Sequence, residues 1–134
     1  MDEYKFVTDV EVRYRDLDPM GHVNNAVYLT YLETTRVRYL QTVLDGGLQA
    51  GSIVVANVDI DFRAPIRRGV DTVTVGVRPA EIGTTSVTLE YEILAGDQTA
   101  AVAESTFVSY DADAGEPTPV PDDWRAAIGA GDSR

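Results

Sequence analysis

Asp18 is the residue whose type and setting most invite chemistry in this 134-residue chain. It lies in the run Asp16-Leu17-Asp18-Pro19-Met20-Gly21-His22-Val23-Asn24-Asn25, directly before a helical pattern that continues to about Val43. A helix start offers unpaired backbone N–H groups and partial positive charge, so an acid beside it can work on a carbonyl polarised there. His22, the single histidine, can orient a water or hydrogen-bond Asp18, because imidazole donates and accepts near neutral pH. Either Asn24 or Asn25 can cap the helix, and Asn25 can also contribute its backbone N–H. The competing structural reading makes Asp18 a helix-dipole partner worth about 0.3–1 kcal/mol and His22 an ordinary loop residue.

Composition removes most other chemistries. With no cysteine there is no disulfide framework, thiolate nucleophile or thiolate metal site, and one histidine argues against zinc. The spacing Asp16-x-Asp18-x-Met20-Gly21 lacks the third oxygen ligand of a calcium loop and places Val27 where the terminal Glu belongs. No nucleotide-binding glycine pattern and no Gly-x-Ser-x-Gly elbow appears, so neither a metal nor a cofactor is expected. The formal charge of −11 disfavours general nucleic-acid binding, which depends on basic side chains displacing counterions from phosphates. The first residues are acidic, and no apolar run approaches the roughly 18 residues of a membrane span, so a soluble, cytoplasmic protein is expected.

The chain length predicts one domain across residues 1–134. Phe6 to Tyr14 alternates in strand period, and Asp16 to Asn24 is a loop by its Pro, Gly and Asn content. In the helix that follows, Tyr28, Leu29, Leu32, Tyr39, Leu40 and Val43 share one face, with Asp45-Gly46-Gly47 ending it. Arg36 also falls on the apolar face, and Glu33 at i,i+3 is its expected partner and a secondary site candidate.

Four further strands are expected. Val54, Ala56, Val58, Ile60 and Phe62 define one face of the second strand, Val73 to Pro79 a third, and Val87 to Ile93 a fourth. Ala95-Gly96-Asp97 turns into a fifth from Thr99 to Tyr110. Three successive hairpins are therefore predicted, followed by a surface tail with one helical turn near Pro121 to Ile128 and a frayed end. The order is β-α-β-β-β-β, an α+β fold in which a mostly antiparallel five-stranded sheet wraps one long helix.

Asp18-Pro19-Met20-Gly21-His22-Val23-Asn24-Asn25, with Tyr28 and the run from Tyr31-Leu32-Glu33 to Arg36, resembles the hotdog-fold acyl-CoA thioesterases of the 4-hydroxybenzoyl-CoA thioesterase type. A looser likeness covers nearly the whole chain, through Phe62 to Gly69 and Ile82 to Ile93. The resemblance implies that Asp18 attacks the thioester or activates water, and that the helix N-terminus supplies oxyanion donors, with Asn25 where that N–H lies. The same stretch resembles the plant acyl-carrier-protein thioesterases, whose Asp-x-Asn-x-His pattern matches Asp18 and His22 but meets Met20 where the Asn stands.

An ionised carboxylate facing a thioester, an activated acyl group, needs no relay to prepare it. The implied catalytic set is Asp18, His22 and Asn25. Tyr28 is expected to line the acyl pocket, and Arg63, Arg67 and Arg68 to meet coenzyme A phosphates, which suit guanidinium donors. Acyl-CoA is the implied partner, and the resemblance further implies a homodimer or homotetramer. A non-catalytic acyl-binding or scaffold protein is the alternative, and a hotdog dehydratase a weaker one.

Overall fold

Strict alternation and two tight turns build the middle of the sheet. In a computed structural model, which describes residues 1, 3–44, 47–49 and 52–131, Thr72–Ile82 (β3), Ser86–Ala95 (β4) and Gln98–Asp111 (β5) run back and forth as antiparallel neighbours. Phe6–Glu11 (β1) pairs with β3, and Ile53–Phe62 (β2) pairs with β5 rather than with β3. The sheet order is β1-β3-β4-β5-β2, with the short Glu116–Pro117 (β6) added beside β5.

Two of the three expected hairpins therefore exist, and the link from β2 to β3 crosses the sheet instead. That crossing is what carries residues 63–71 past the Asp18 loop. The first strand also ends earlier than alternation predicts, because Tyr14–Asp16 tightens into a 3-10 turn. β3 runs beyond Pro79, which sits at a register shift before Glu81, a position where a missing N–H is tolerated.

The inner face is apolar by design of the period: Val73, Val75, Val77, Val87, Leu89, Tyr91, Ile93 and Phe107 are all buried. Against them lies the single long helix, Val27–Val43 (α1). Its 17 residues span about 25 Å, shorter than a helix beginning at Asn24 would be. Tyr28, Tyr31, Leu32, Thr35, Tyr39 and Leu40 form the buried stripe. Leu29, expected inside, is 46% exposed, because the stripe is rotated toward Tyr31 and Thr35. Thr35 is tolerated there because its hydroxyl donates to the Tyr31 carbonyl at 2.8 Å.

A bulge explains the other misplaced face. Register shifts between Val55 and Asn57, so Val55 and Val58 lie opposite the buried Phe107 and Ser105, whereas Val54 pairs with Val108 on the outer side. Asp45 and Gly46, expected to end the helix, lie outside the described residues; Gly47 beyond them takes φ +72° and donates to the Leu44 carbonyl at 2.7 Å. The tail is more than a surface strap: Asp122–Gly131 (α2) is a ten-residue helix whose Ile128 is fully buried. Residues 132–134, where fraying is expected, lie outside the described residues.

Candidate active site

Asp16 to Asn24 folds as a miniature hairpin, and that hairpin positions Asp18. The Asp18 N–H donates to the His22 carbonyl at 2.7 Å, Leu17 bridges Val23, and the Asn24 N–H donates to the Asp16 carbonyl at 2.9 Å. Gly21 turns the tip with φ +80°, a conformation that favours glycine. The Asp18 carboxylate folds back over this tip: Oδ1 accepts the N–H of Met20 at 2.9 Å and of His22 at 3.1 Å. Among the described residues Oδ2 has no partner, so one oxygen fixes the side chain and the other is left without a hydrogen bond.

The far arm of the hairpin docks on the segment that leaves β2. Val23 donates its N–H to the Ile66 carbonyl, His22 bridges Arg67, and Arg68 donates its N–H to the Gly21 carbonyl, the last at 2.8 Å. Pro19, Met20, Gly21, His22, Arg67 and Arg68 consequently line one cavity of about 310 Å³. Both arginines are exposed and make no ion pair among the described residues. Arg63 does not join them; its Nε pairs with Asp61 at 2.8 Å on the surface.

The helix start differs from its expected form. Ala26, not an asparagine, is the N-cap, and no side chain caps it. Asn24 acts one step earlier: its Oδ1 accepts the Ala26 N–H at 2.9 Å, and its carbonyl accepts the Val27 N–H at 2.9 Å. The Asn25 carbonyl accepts the Tyr28 N–H, while the Asn25 N–H has no partner among the described residues. An unpaired donor thus stands one residue before the helix cap, where an anionic oxygen is favoured.

Behind the hairpin lies a polar anchor that residue types alone did not reveal. Asp16 is 2% exposed and its Oδ2 accepts the Tyr31 hydroxyl at 2.9 Å and the Arg13 N–H at 2.8 Å. The Arg13 guanidinium adds an ion pair at 3.4 Å. Burial first, and then the adjoining Asp16 carboxylate, push the Tyr31 phenol well above its ordinary range. The signal for it was faint: Tyr28, Tyr31 and Thr35 share one helical stripe, yet Tyr31 is fifteen residues from Asp16.

Tyr28 is buried against this same ground. Its ring meets Phe62 edge-on at 4.9 Å between centroids. Burial raises its pKa and the Ile66 backbone partly offsets the rise. Glu33 and Arg36 lie away from the hairpin, bordering a cavity of about 500 Å³ along the second half of α1 with Val37, Leu40, Leu48 and Ile53. They are paired at 3.9 Å as expected. Among the described residues no group of three His, Cys, Asp or Glu side chains is placed to hold a metal ion.

An antiparallel sheet of this order wrapped round one helix, with a carboxylate hairpin feeding the helix start, defines a hotdog-fold protein. The chain belongs to the thioesterase-like superfamily, whose family model matches residues 12–128. Among solved structures it is similar to a thioesterase from Thermus thermophilus complexed with coenzyme A and Zn, at 40% identity and a TM-score of 0.90, covering 100% of this chain and 98% of that one. A predicted thioesterase from Bacillus stearothermophilus is 27% identical with a TM-score of 0.86, over 96% and 97% of the two chains. A Pseudomonas aeruginosa protein is 26% identical with a TM-score of 0.85, over 98% and 94%. No curated protein matches the chain. Among the described residues, no helix is long and apolar enough to cross a membrane.

Proposed function

We propose that this protein hydrolyses acyl thioesters of coenzyme A at the Asp18 hairpin, as a member of the 4-hydroxybenzoyl-CoA thioesterase type. The observation that carries the reading is the divided state of the Asp18 carboxylate, one oxygen anchored by two loop N–H groups and the other without a partner among the described residues. The available oxygen serves in one of two ways. As nucleophile it attacks the acyl carbon, the C–S bond breaks with the electron pair leaving on sulfur, and water then hydrolyses the mixed anhydride. As general base it takes a proton from the water that attacks. In both, negative charge gathers on the former carbonyl oxygen, which the Asn25 N–H is suited to receive.

Recognition follows from charge. On a chain of formal charge −11, Arg67 and Arg68 are exposed cations without ion-pair partners among the described residues, beside the hairpin and on one cavity wall with His22. Guanidinium groups bind phosphate oxygens, so these two are the phosphate contacts, with Arg63 contributing less because Asp61 already holds it. The coenzyme A in the Thermus thioesterase supports a CoA substrate. Tyr28, buried against Phe62 in the first turn of α1, is the residue this reading assigns to the acyl pocket. His22 acts through its backbone on Asp18 and through its ring on the cavity.

Assembly as a homodimer fits the sheet's free edge. β2 is a terminal strand with Val54, Val55 and Phe62 40–45% exposed, an apolar edge that invites pairing with a second copy. Sedimentation is expected to give twice the chain mass; a monomer at micromolar concentration would remove this part of the reading.

The alternative is an acyl-binding or scaffold protein, favoured by the two N–H bonds that let Asp18 serve the hairpin alone. A thiol-release assay over acyl-CoAs of increasing chain length separates the two. Hydrolysis predicts saturable, multiple-turnover release. Tight binding with no thiol released beyond the uncatalysed rate would establish the scaffold reading instead.

A further inference from the structure

We infer that Asp16 and Tyr31 form a positioning pair that sets where Asp18 stands relative to the helix start, an inference that rests on Asp18 being the reacting carboxylate. Asp16 is the point at which three segments meet. Its carboxylate takes the Arg13 N–H and guanidinium from the chain leading in from β1, and the Tyr31 hydroxyl from the second turn of α1. Its own carbonyl takes the Asn24 N–H at 2.9 Å, which closes the base of the hairpin whose tip carries Asp18.

No other described side chain ties the hairpin base to the interior of α1 by a hydrogen bond. Toward the helix, Asn24 bonds only Ala26 and Val27, at its frayable end. A carboxylate 2% exposed is retained where an apolar residue would pack, so its position is specified rather than incidental. Both ends of the tie are buried: Tyr31 is 1% exposed, with its ring 6.3 Å from that of Tyr28. Releasing the tie leaves the hairpin held at Val23 and, through Arg68, at its Gly21 tip, and frees the Asp16–Asp18 arm that carries the reacting carboxylate to shift against them.

A shift of about 1 Å at a reacting group costs on the order of a hundredfold in rate. Phosphate binding at Arg67 and Arg68 lies on the segment against which the far arm docks and is untouched. The signature is therefore a loss in kcat at constant KM. Tyr31→Phe removes one oxygen and no packing volume, Asp16→Ala removes the whole acceptor, and Asp16→Asn keeps an oxygen to accept from Tyr31.

With acyl-CoA as substrate, kcat is expected to fall roughly 10- to 100-fold in Tyr31→Phe and further in Asp16→Ala, with KM unchanged and partial recovery in Asp16→Asn. Ile128→Val in α2, a destabilising change outside the site, is expected to keep wild-type kcat. Asp18→Asn is measured alongside. Wild-type kcat in Tyr31→Phe with turnover abolished in Asp18→Asn overturns the positioning pair alone. Undiminished turnover in Asp18→Asn overturns the Asp18 reading and the pair with it. A kcat loss in Ile128→Val equal to that in Tyr31→Phe assigns the effect to stability and likewise overturns the pair. Should Asp16→Ala fail to fold, Tyr31→Phe and Asp16→Asn decide.

Discussion

Asp18→Asn is expected to lower thioester turnover by about 10²–10⁴-fold while folding and KM stay as they are. The substitution is nearly isosteric, and its amide oxygen can still accept the Met20 and His22 N–H groups that shape the hairpin tip. What disappears is the negative charge and basicity of the second oxygen, the atom without a partner among the described residues. A carboxamide neither attacks an acyl carbon nor takes a proton from water. The residual rate would come from the Asn25 N–H and from holding the thioester in place. Circular dichroism and a melting curve beside the kinetics separate this from unfolding.

The second large effect concerns binding. Arg67→Ala combined with Arg68→Ala is expected to raise KM for an acyl-CoA by about tenfold per arginine with kcat nearly constant, since a hydrogen bond to a charged group is worth about 1.5–3 kcal/mol and these side chains are exposed. Added salt should raise the wild-type KM and leave the double variant's almost flat, because screening acts only where the cations remain. An unchanged KM would show that the phosphates rest elsewhere. The backbone bonds of this segment, from Arg68 N–H to the Gly21 carbonyl and across the His22–Arg67 bridge, survive the substitution, so the hairpin stays docked.

Local pattern made much of this fold legible. Alternation placed β3, β4 and β5, and Gly96, with φ +64°, turns the last hairpin where the sequence Ala95-Gly96-Asp97 announced it. The helix between the first two strands was equally plain. Non-local choices were not. Nothing in β2 itself says that it joins β5 at the edge instead of β3, and the bulge after Val55 inverts a face that simple alternation assigns to Val54 and Ala56. α2 was legible only as one helical turn near Pro121 to Ile128, because its short apolar stripe, centred on Ile128 and Trp124, gains its worth only from the sheet it covers.

The site divides along the same line. Asp18, His22 and the two arginines lie within a few residues of turn-forming Pro19 and Gly21 or of each other, and the structure brings them to one hairpin and the cavity beside it. Asp16 was not legible as the buried acceptor of Tyr31, which a single sequence shows only as one more tyrosine on the helix. The asparagines exchanged roles: the cap fell to Ala26, Asn24 took the preceding turn, and Asn25 keeps an unpaired N–H among the described residues.

The central claim is that the Asp18 carboxylate does the chemistry, and a single-turnover measurement with enzyme in excess over an acyl-CoA tests it most directly, because it reads thiol release from bound substrate. Wild type is expected to release thiol in one exponential phase, and Asp18→Asn to bind the same thioester with the same affinity yet release it at least about a hundredfold more slowly. Release from Asp18→Asn at the wild-type rate, with binding intact, would contradict the account.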